Sequence, residues 1–253
     1  MIEIGSVSRS EQGPRPTNED RCASHEPEAA LLENRGALFA VADGLGGHAG
    51  GALASDTALT TLVAHYYSRT EPVEAALRGA VQAANLAVLS AAQREPGYRS
   101  MATTLDALLL TARSAYLAHV GDGRVYQRRR GDVRCLTRDH ALGRSALTRS
   151  LGGALIVRPD LVREAVVAGD RYLLCSDGLW SALSQQEIAE VLNELDPENA
   201  CATLVELALT HGTDDNATAQ IVDVRAVAMA SGAAITDAES GGVLRRIAER
   251  LIG

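Results

Sequence analysis

Five aspartates in this chain share one local setting at the edge of an apolar or strand-like run. Asp43 closes Phe39-Ala40-Val41-Ala42 and is followed by Gly44. Asp122 closes Leu117-Ala118-His119-Val120-Gly121, and Asp177 closes Leu173-Leu174-Cys175-Ser176 ahead of Gly178. Asp20 follows Asn18-Glu19 at a turn-to-strand junction, and Asp215 opens a strand after Gly212-Thr213-Asp214. One strand-end aspartate is ordinary turn chemistry. Several in one chain pose an electrostatic problem, because buried anions brought together repel unless cations hold them. Oxygen ligands without a His/Cys set favour hard divalent ions, Mg2+ or Mn2+, that keep part of their water shell. Two such ions about 3.5–4 Å apart lower the pKa of a bound water and clamp a phosphate.

The elements that must deliver these acids are legible in outline. Residues 2–8 alternate apolar and polar as a strand does, a second short strand fits 20–25, and 37–43 is a buried strand. A helical pattern runs from Ala49 to Arg69, and Glu71-Pro72 opens a second, alanine-rich helix to about Gln93. These two adjacent helices should cover a sheet face. Strands follow at 103–111, 114–120, 123–129 and 132–137, then at 161–167 and 171–176, with helices at 184–194 and 197–210 and a last strand at 216–224. Consecutive strands without helices between them imply antiparallel pairing. Residues 226–240 read as a linker and 243–252 as a short amphipathic helix docked on the domain surface, so two units are expected, 1–225 and 226–253.

Composition narrows the class. The 253 residues are 46% hydrophobic and carry a net charge of −8, which suits an enzyme-sized domain and argues against a general nucleic-acid binder. All 24 cationic residues are arginine. The start of the chain lacks the basic-then-apolar pattern of a signal peptide, and no apolar run approaches a membrane span. Cys22, Cys135, Cys175 and Cys201 show no CxxC spacing. They read as small buried residues in a reducing, cytoplasmic setting.

Taken in order, the motifs resemble those of the metal-dependent Ser/Thr protein phosphatases (PPM, type 2C), in their bacterial single-domain form. They are Arg15-Pro16-Thr17-Asn18-Glu19-Asp20, Val41-Ala42-Asp43-Gly44-Leu45-Gly46-Gly47-His48, Thr103-Thr104, His119-Val120-Gly121-Asp122-Gly123-Arg124-Val125-Tyr126, Leu147-Thr148-Arg149-Ser150-Leu151-Gly152, Cys175-Ser176-Asp177-Gly178-Leu179 and Asp215-Asn216. The resemblance covers residues 1–224. It implies an α+β fold, an α-β-β-α sandwich of two mainly antiparallel sheets flanked by helices. It also implies hydrolysis of phosphoserine and phosphothreonine esters by a metal-bridged hydroxide at a dinuclear Mg2+/Mn2+ centre.

On that resemblance Asp43 bridges two ions with the Gly44 carbonyl as a further ligand. Asp177 and Asp215 complete one shell, and Glu19 and Asp20 position the other ion largely through waters. Arg15 grips the substrate phosphate as a fork, and His48 protonates the leaving oxygen. Asp122, with Asp177, holds a weaker third ion. The implied partners are phosphorylated Ser/Thr proteins and a cognate Ser/Thr kinase, acting on a monomer.

The pattern departs in three places. Gly123 stands where the hairpin usually carries serine. Ser181 replaces a second acid four residues after Asp177. Only Ala141 to Ala146 lie between His140 and Leu147, where bacterial members carry a longer flap, so an open site is expected. Thr103 and Thr104 read as strand packing, Asp139 and His140 as a turn, Arg128-Arg129-Arg130 as a solvated hairpin end, and Trp180 as a packing residue beside the site. Two other readings compete: a catalytically weak phosphoprotein-binding module on the same fold, and a dinucleotide-binding oxidoreductase suggested by Gly44, Gly46 and Gly50. The second is disfavoured because Asp43 would face a pyrophosphate and the later half of the chain lacks alternating βα units.

Overall fold

The computed structural model describes residues 2–45, 49–94, 96–142 and 146–227. The chain begins with strand β1 (Ile2–Glu11), then β2 (Arg21–His25), helix α1 (Ala29–Arg35), β3 (Ala37–Ala42) and the two-residue β4 (Gly44–Leu45). Two long helices follow, α2 (Ala49–Tyr67) and α3 (Val73–Arg94). A run of strands comes next: β5 (Ala102–Thr103), β6 (Leu105–Leu110), β7 (Ser114–Val120), β8 (Arg124–Arg129), β9 (Asp132–Cys135), β10 (Ala141–Leu142), β11 (Ala146–Leu147), β12 (Asp160–Ala165) and β13 (Arg171–Cys175). Helices α4 (Asp177–Trp180), α5 (Gln185–Glu194) and α6 (Pro197–Thr210) precede the last strand, β14 (Ala217–Val227).

Two five-stranded sheets form, ordered β1-β14-β13-β8-β9 and β12-β7-β6-β3-β2. Their ladders are antiparallel, both where the strands follow one another directly and where helices intervene, as between β3 and β6 and between β13 and β14. Period-two alternation lets each central strand feed two cores. In β3, Leu38, Ala40 and Ala42 face one way and pack in a cluster with Leu62, Leu77, Val81 and Val88 of α2 and α3. Ala37, Phe39 and Val41 face the other way and meet Tyr172, Leu174, Val222 and Val224 of the opposite sheet. On the far side of that sheet Leu173, Cys175, Ala219 and Ile221 pack with Leu192, Leu204 and Val205 of α5 and α6. The layers are therefore α-β-β-α, as the motif pattern implied.

The two long helices do cover a sheet face. The strand expected over 103–111 is broken at Thr104 into β5 and β6, because the chain there leaves the main sheet and pairs with Gly44 and Leu45. Helix α1 escaped the sequence reading. It is seven residues long, its N-cap Glu28 makes no side-chain cap, and Arg35 is its buried residue, so neither cap nor periodicity announced it. By contrast α5 has a full capping box, with Ser184 and Glu187 satisfying each other's backbone N–H groups. The 141–147 segment is a two-rung hairpin, Ala141 opposite Leu147 and Leu142 opposite Ala146. The linker and tail helix expected over 226–253 fall almost wholly outside the described residues. Of that stretch only Ala226 and Val227 are described, and they extend β14 past the proposed boundary at 225.

Candidate metal centre

Asp43 follows the C-terminal end of β3, Asp122 lies in the β7–β8 turn and Asp177 follows β13; Asp20 and Asp215 immediately precede the N-terminal parts of β2 and β14. In antiparallel sheets these ends lie at one edge of the sandwich, so the topology brings all five acids together.

Asp43 is held by its main chain. Its N–H donates to Thr104 Oγ1 at 2.9 Å, and its carbonyl accepts from Thr103 Oγ1 at 2.8 Å and from Thr104 N at 2.9 Å. Thr103 and Thr104 are buried strand residues, as read, but they also fix the backbone of the central carboxylate. The next position must be glycine, because a Cβ on Gly44 would stand 2.2 Å from the Gly51 carbonyl oxygen and 2.8 Å from that of Glu19. The start of α2 thus presses directly on the metal-motif turn.

The first motif is fastened by amides and hydroxyls. Asn216 Oδ1 accepts from Glu19 N at 2.9 Å while its Nδ2 donates to the carbonyls of Gln12 and Thr17. Ser55 Oγ donates to the Glu19 carbonyl at 2.6 Å, and Asn18 Oδ1 accepts from Asp20 N. Ser176 Oγ donates to Asp20 Oδ2 at 2.7 Å and accepts from Thr218 N, so one hydroxyl ties the first acid to the turn before Asp177. Ser55 is a helix residue far from any motif and gave no signal in sequence.

The electrostatics are those of crowded anions. Burial, then the charges of Asp20, Asp177, Asp215 and Asp122, push Asp43 well above the usual carboxylate range. Burial raises Asp20 to about 6, with Asp177 and Asp215 adding to it against the opposing Thr218 and Ser176 hydrogen bonds. Asp122 is also raised to about 6, by burial and then by Asp177. Asp177 is raised by burial and by Asp215. Two buried oxygens of this group, Asp20 Oδ1 and Asp177 Oδ1, have no hydrogen-bond partner. Orphaned anionic oxygens in a buried all-oxygen cluster are what hard divalent ions satisfy. The convergence is looser than a finished shell: among the described residues, no three His, Cys, Asp or Glu side chains already stand around one point.

Arg15 reaches the same region from the first loop. Its Nη2 donates to Asp215 Oδ2 at 2.6 Å and its Nε to the Asp214 carbonyl at 2.8 Å, with the side chain half exposed. A cavity of about 290 Å3 opens beside Asp122 and Asp177, lined also by Asp139, Ala141, Trp180, Ser181 and Asp214. Trp180 does more than pack, since its Nε1 donates to the Asp122 carbonyl at 2.8 Å. The Arg124 guanidinium lies 3.4 Å from the Trp180 ring centroid and is forked by Asp139 at 3.0 and 2.8 Å. Asp139, read as a turn residue, therefore anchors the rim of the cavity. His140 is buried rather than exposed in a turn. His48 lies outside the described residues.

Loss of the Thr104 hydroxyl is the sharpest test of this scaffold. Thr104→Val leaves the Asp43 N–H without an acceptor, which costs about 1–3 kcal/mol. Urea denaturation should show that loss, and hydrolytic activity should fall about tenfold, with Thr104→Ser close to wild type.

Carboxylates gathered at the strand ends of a two-sheet sandwich suit hard divalent ions, and the comparisons show the family that shares this arrangement. Residues 14–224 match the profile described as Protein phosphatase 2C. The chain belongs to that family. It is 36% identical over 209 residues to the serine/threonine protein phosphatase PstP of Mycobacterium tuberculosis, an alignment covering 74% of this chain and 40% of PstP. This chain thus spans about two-fifths of that relative's length. It is 29% identical over 235 residues to the serine/threonine phosphatase stp of Listeria monocytogenes, covering 82% of this chain and 93% of stp. Among solved structures, the PstP catalytic domain in complex with two manganese ions superposes with a TM-score of 0.77 at 33% identity, covering 89% of this chain and 100% of that one. PppA of Pseudomonas aeruginosa gives 0.76 at 33%, covering 87% and 97%.

Proposed function

We propose that the chain is a protein serine/threonine phosphatase using two Mn2+ or Mg2+ ions, with a weaker third. The observation that carries this reading is the convergence of Asp20, Asp43, Asp122, Asp177 and Asp215, with two buried oxygens lacking partners. The manganese-bound PstP domain, similar over nearly the whole described chain, supports it. Asp43, the Gly44 carbonyl, Asp177 and Asp215 would hold the two principal ions, with Glu19 and Asp20 acting largely through bound waters. Asp122 with Asp177 would hold the third, weakly because Ser181 offers no carboxylate. Bound ions would supply an ionised water at neutral pH and positive charge for the phosphate.

The protein's own groups do the rest. Arg15 already bonds to a carboxylate, and its exposed fork can exchange that partner for two phosphate oxygens. His48 is assigned the proton delivered to the leaving serine or threonine oxygen. Thr103 and Thr104 keep Asp43 in register during both events. The cavity beside Asp122 has room for a side chain next to the phosphorylated residue.

Arg15→Ala is expected to raise KM for a phosphothreonine peptide roughly 10- to 100-fold with a smaller change in kcat, read from initial rates at saturating manganese. Substrates are phosphorylated Ser/Thr proteins, with reversal of a cognate Ser/Thr kinase as the physiological role. The enzyme is assigned to the cytoplasm as a monomer; no described helix is long and apolar enough to cross a membrane. The deciding experiment is manganese-dependent hydrolysis of p-nitrophenyl phosphate and of phosphoserine and phosphothreonine peptides. Binding of such peptides without turnover would favour the alternative, a weak regulatory module on the same fold.

A further inference from the structure

Beneath the Gly121–Gly123 turn runs a buried polar chain that the assigned chemistry does not use. Asp106 of β6 and His119 of β7 are both 1% exposed, with Asp106 Oδ1 2.7 Å from His119 Nδ1. His119 Nε2 faces the Arg138 carbonyl at 3.0 Å. The Arg138 carbonyl can only accept, so Nε2 carries a proton, and Nδ1 shares a second hydrogen bond with Asp106. Burial works against a charge on His119, and Asp106, the Arg138 carbonyl and Asp160 together more than offset it, leaving His119 more basic than usual. The His119 ring lies 4.6 Å from that of His140. His140 clasps Gly121 twice: its N–H donates to the Gly121 carbonyl at 2.6 Å, and its Nδ1 accepts from Gly121 N at 3.2 Å. That acceptance places its proton on Nε2, facing Asp160 Oδ2 at 3.1 Å.

The second oxygen of Asp106 is buried and has no hydrogen-bond partner. It sits 2.0 Å from where a Cβ on residue 123 would be. A side chain on residue 123 therefore displaces the Asp106 carboxylate, which is tied to His119 by its other oxygen. Asp122 is the residue immediately before Gly123, and its carbonyl is held by Trp180.

We propose that Asp106 is a positioning residue: locked to His119 and matched to Gly123, it forms the floor that sets the Asp122 carboxylate for the weakest of the ions. The metal half of this statement rests on the function proposed above; the packing half does not.

A double-mutant cycle separates the two halves. Gly123→Ser in the wild-type background forces a side chain against Asp106 and is expected to lower Tm by roughly 2–12 °C. Manganese affinity at the weakest site, measured by calorimetric titration, should fall about tenfold or more. With Asp106→Ser, which is smaller and clears the space beside residue 123, adding Gly123→Ser should change Tm and affinity little. With Asp106→Asn, which keeps the volume and loses the charge, Gly123→Ser should remain as damaging as in the wild type. Equal cost of Gly123→Ser in all three backgrounds overturns the matched pair. Thermal coupling with unchanged manganese affinity overturns the positioning role. A wild-type chain that binds no manganese overturns the proposed function and with it that role, and the thermal cycle then decides the packing alone.

Discussion

Asp43→Ala should abolish both activity and tight manganese binding, lowering kcat/KM by at least about 10³-fold. Asp43 is the acid whose pKa is raised by burial and by all four of its neighbours, so it is the electrostatic centre of the cluster. Removing it takes away the carboxylate proposed to be shared by the two principal ions, the one whose backbone Thr103 and Thr104 hold. A second consequence distinguishes this from simple unfolding. An uncompensated buried anion is destabilising, so the metal-free Asp43→Ala protein should melt at or above the metal-free wild type at pH 8. Manganese should then stabilise the wild type and leave the variant nearly unchanged. Differential scanning calorimetry with and without chelator reads both effects beside the kinetic assay. Retention of a tenth or more of the activity would remove Asp43 from the centre of the mechanism.

The same crowding fixes how stability depends on pH. Asp20 and Asp122 have folded-state pKa values of about 6 against an ordinary 3.8, and Asp43 and Asp177 are raised as well. Between about pH 4 and 6 the folded metal-free chain holds protons that the unfolded chain has released, so stability falls as pH rises. The favourable contribution is complete below about 4 and is lost as pH passes through about 6. For Asp20, fully buried, the difference is on the order of 3 kcal/mol; Asp122, more accessible to water, contributes less. Metal-free protein should therefore lose several degrees of Tm between pH 5 and 7. Ions replace the lost protons, so the gain in Tm from saturating manganese should grow over the same interval. A metal-free Tm that rises steadily from pH 5 to 7 would mean that these carboxyls are already neutralised by groups of the chain itself.

Much of this site was readable before any coordinates because its acids are local signals. Each closes or opens a strand, and strand periodicity is written in neighbouring residues, as in Phe39 to Ala42 ahead of Asp43. Antiparallel sheets covered by helices followed from the clustering of strands and helices, and the family resemblance supplied the layered sandwich and the roles of the site residues. What stayed hidden depends on contacts between residues far apart in sequence. Thr103 and Thr104 could be assigned only to strand packing, since their hydroxyls find Asp43 across a two-residue ladder formed by a break in the strand. Ser55 meets Glu19 only after α2 folds back over the first loop. Asp106 was not singled out in sequence and His140 read as part of a turn; the β6–β7 ladder puts Asp106 opposite His119, and the loop after β9 lays His140 against Gly121. Helix α1 was missed for a local reason, having neither a side-chain cap nor an apolar stripe.

Everything assigned to this chain depends on carboxylates from five strand ends closing around hard divalent ions, two principal ones and a weaker third. The most direct measurement is anomalous scattering at the manganese edge from crystals soaked in manganese. Two principal peaks should appear on either side of the Asp43 carboxylate, within coordination distance of the Gly44 carbonyl, Asp177 and Asp215, and a weaker third beside Asp122. Soaked crystals with no anomalous peak at Asp43, and Asp20, Asp177 and Asp215 directed away from one another, would contradict the account.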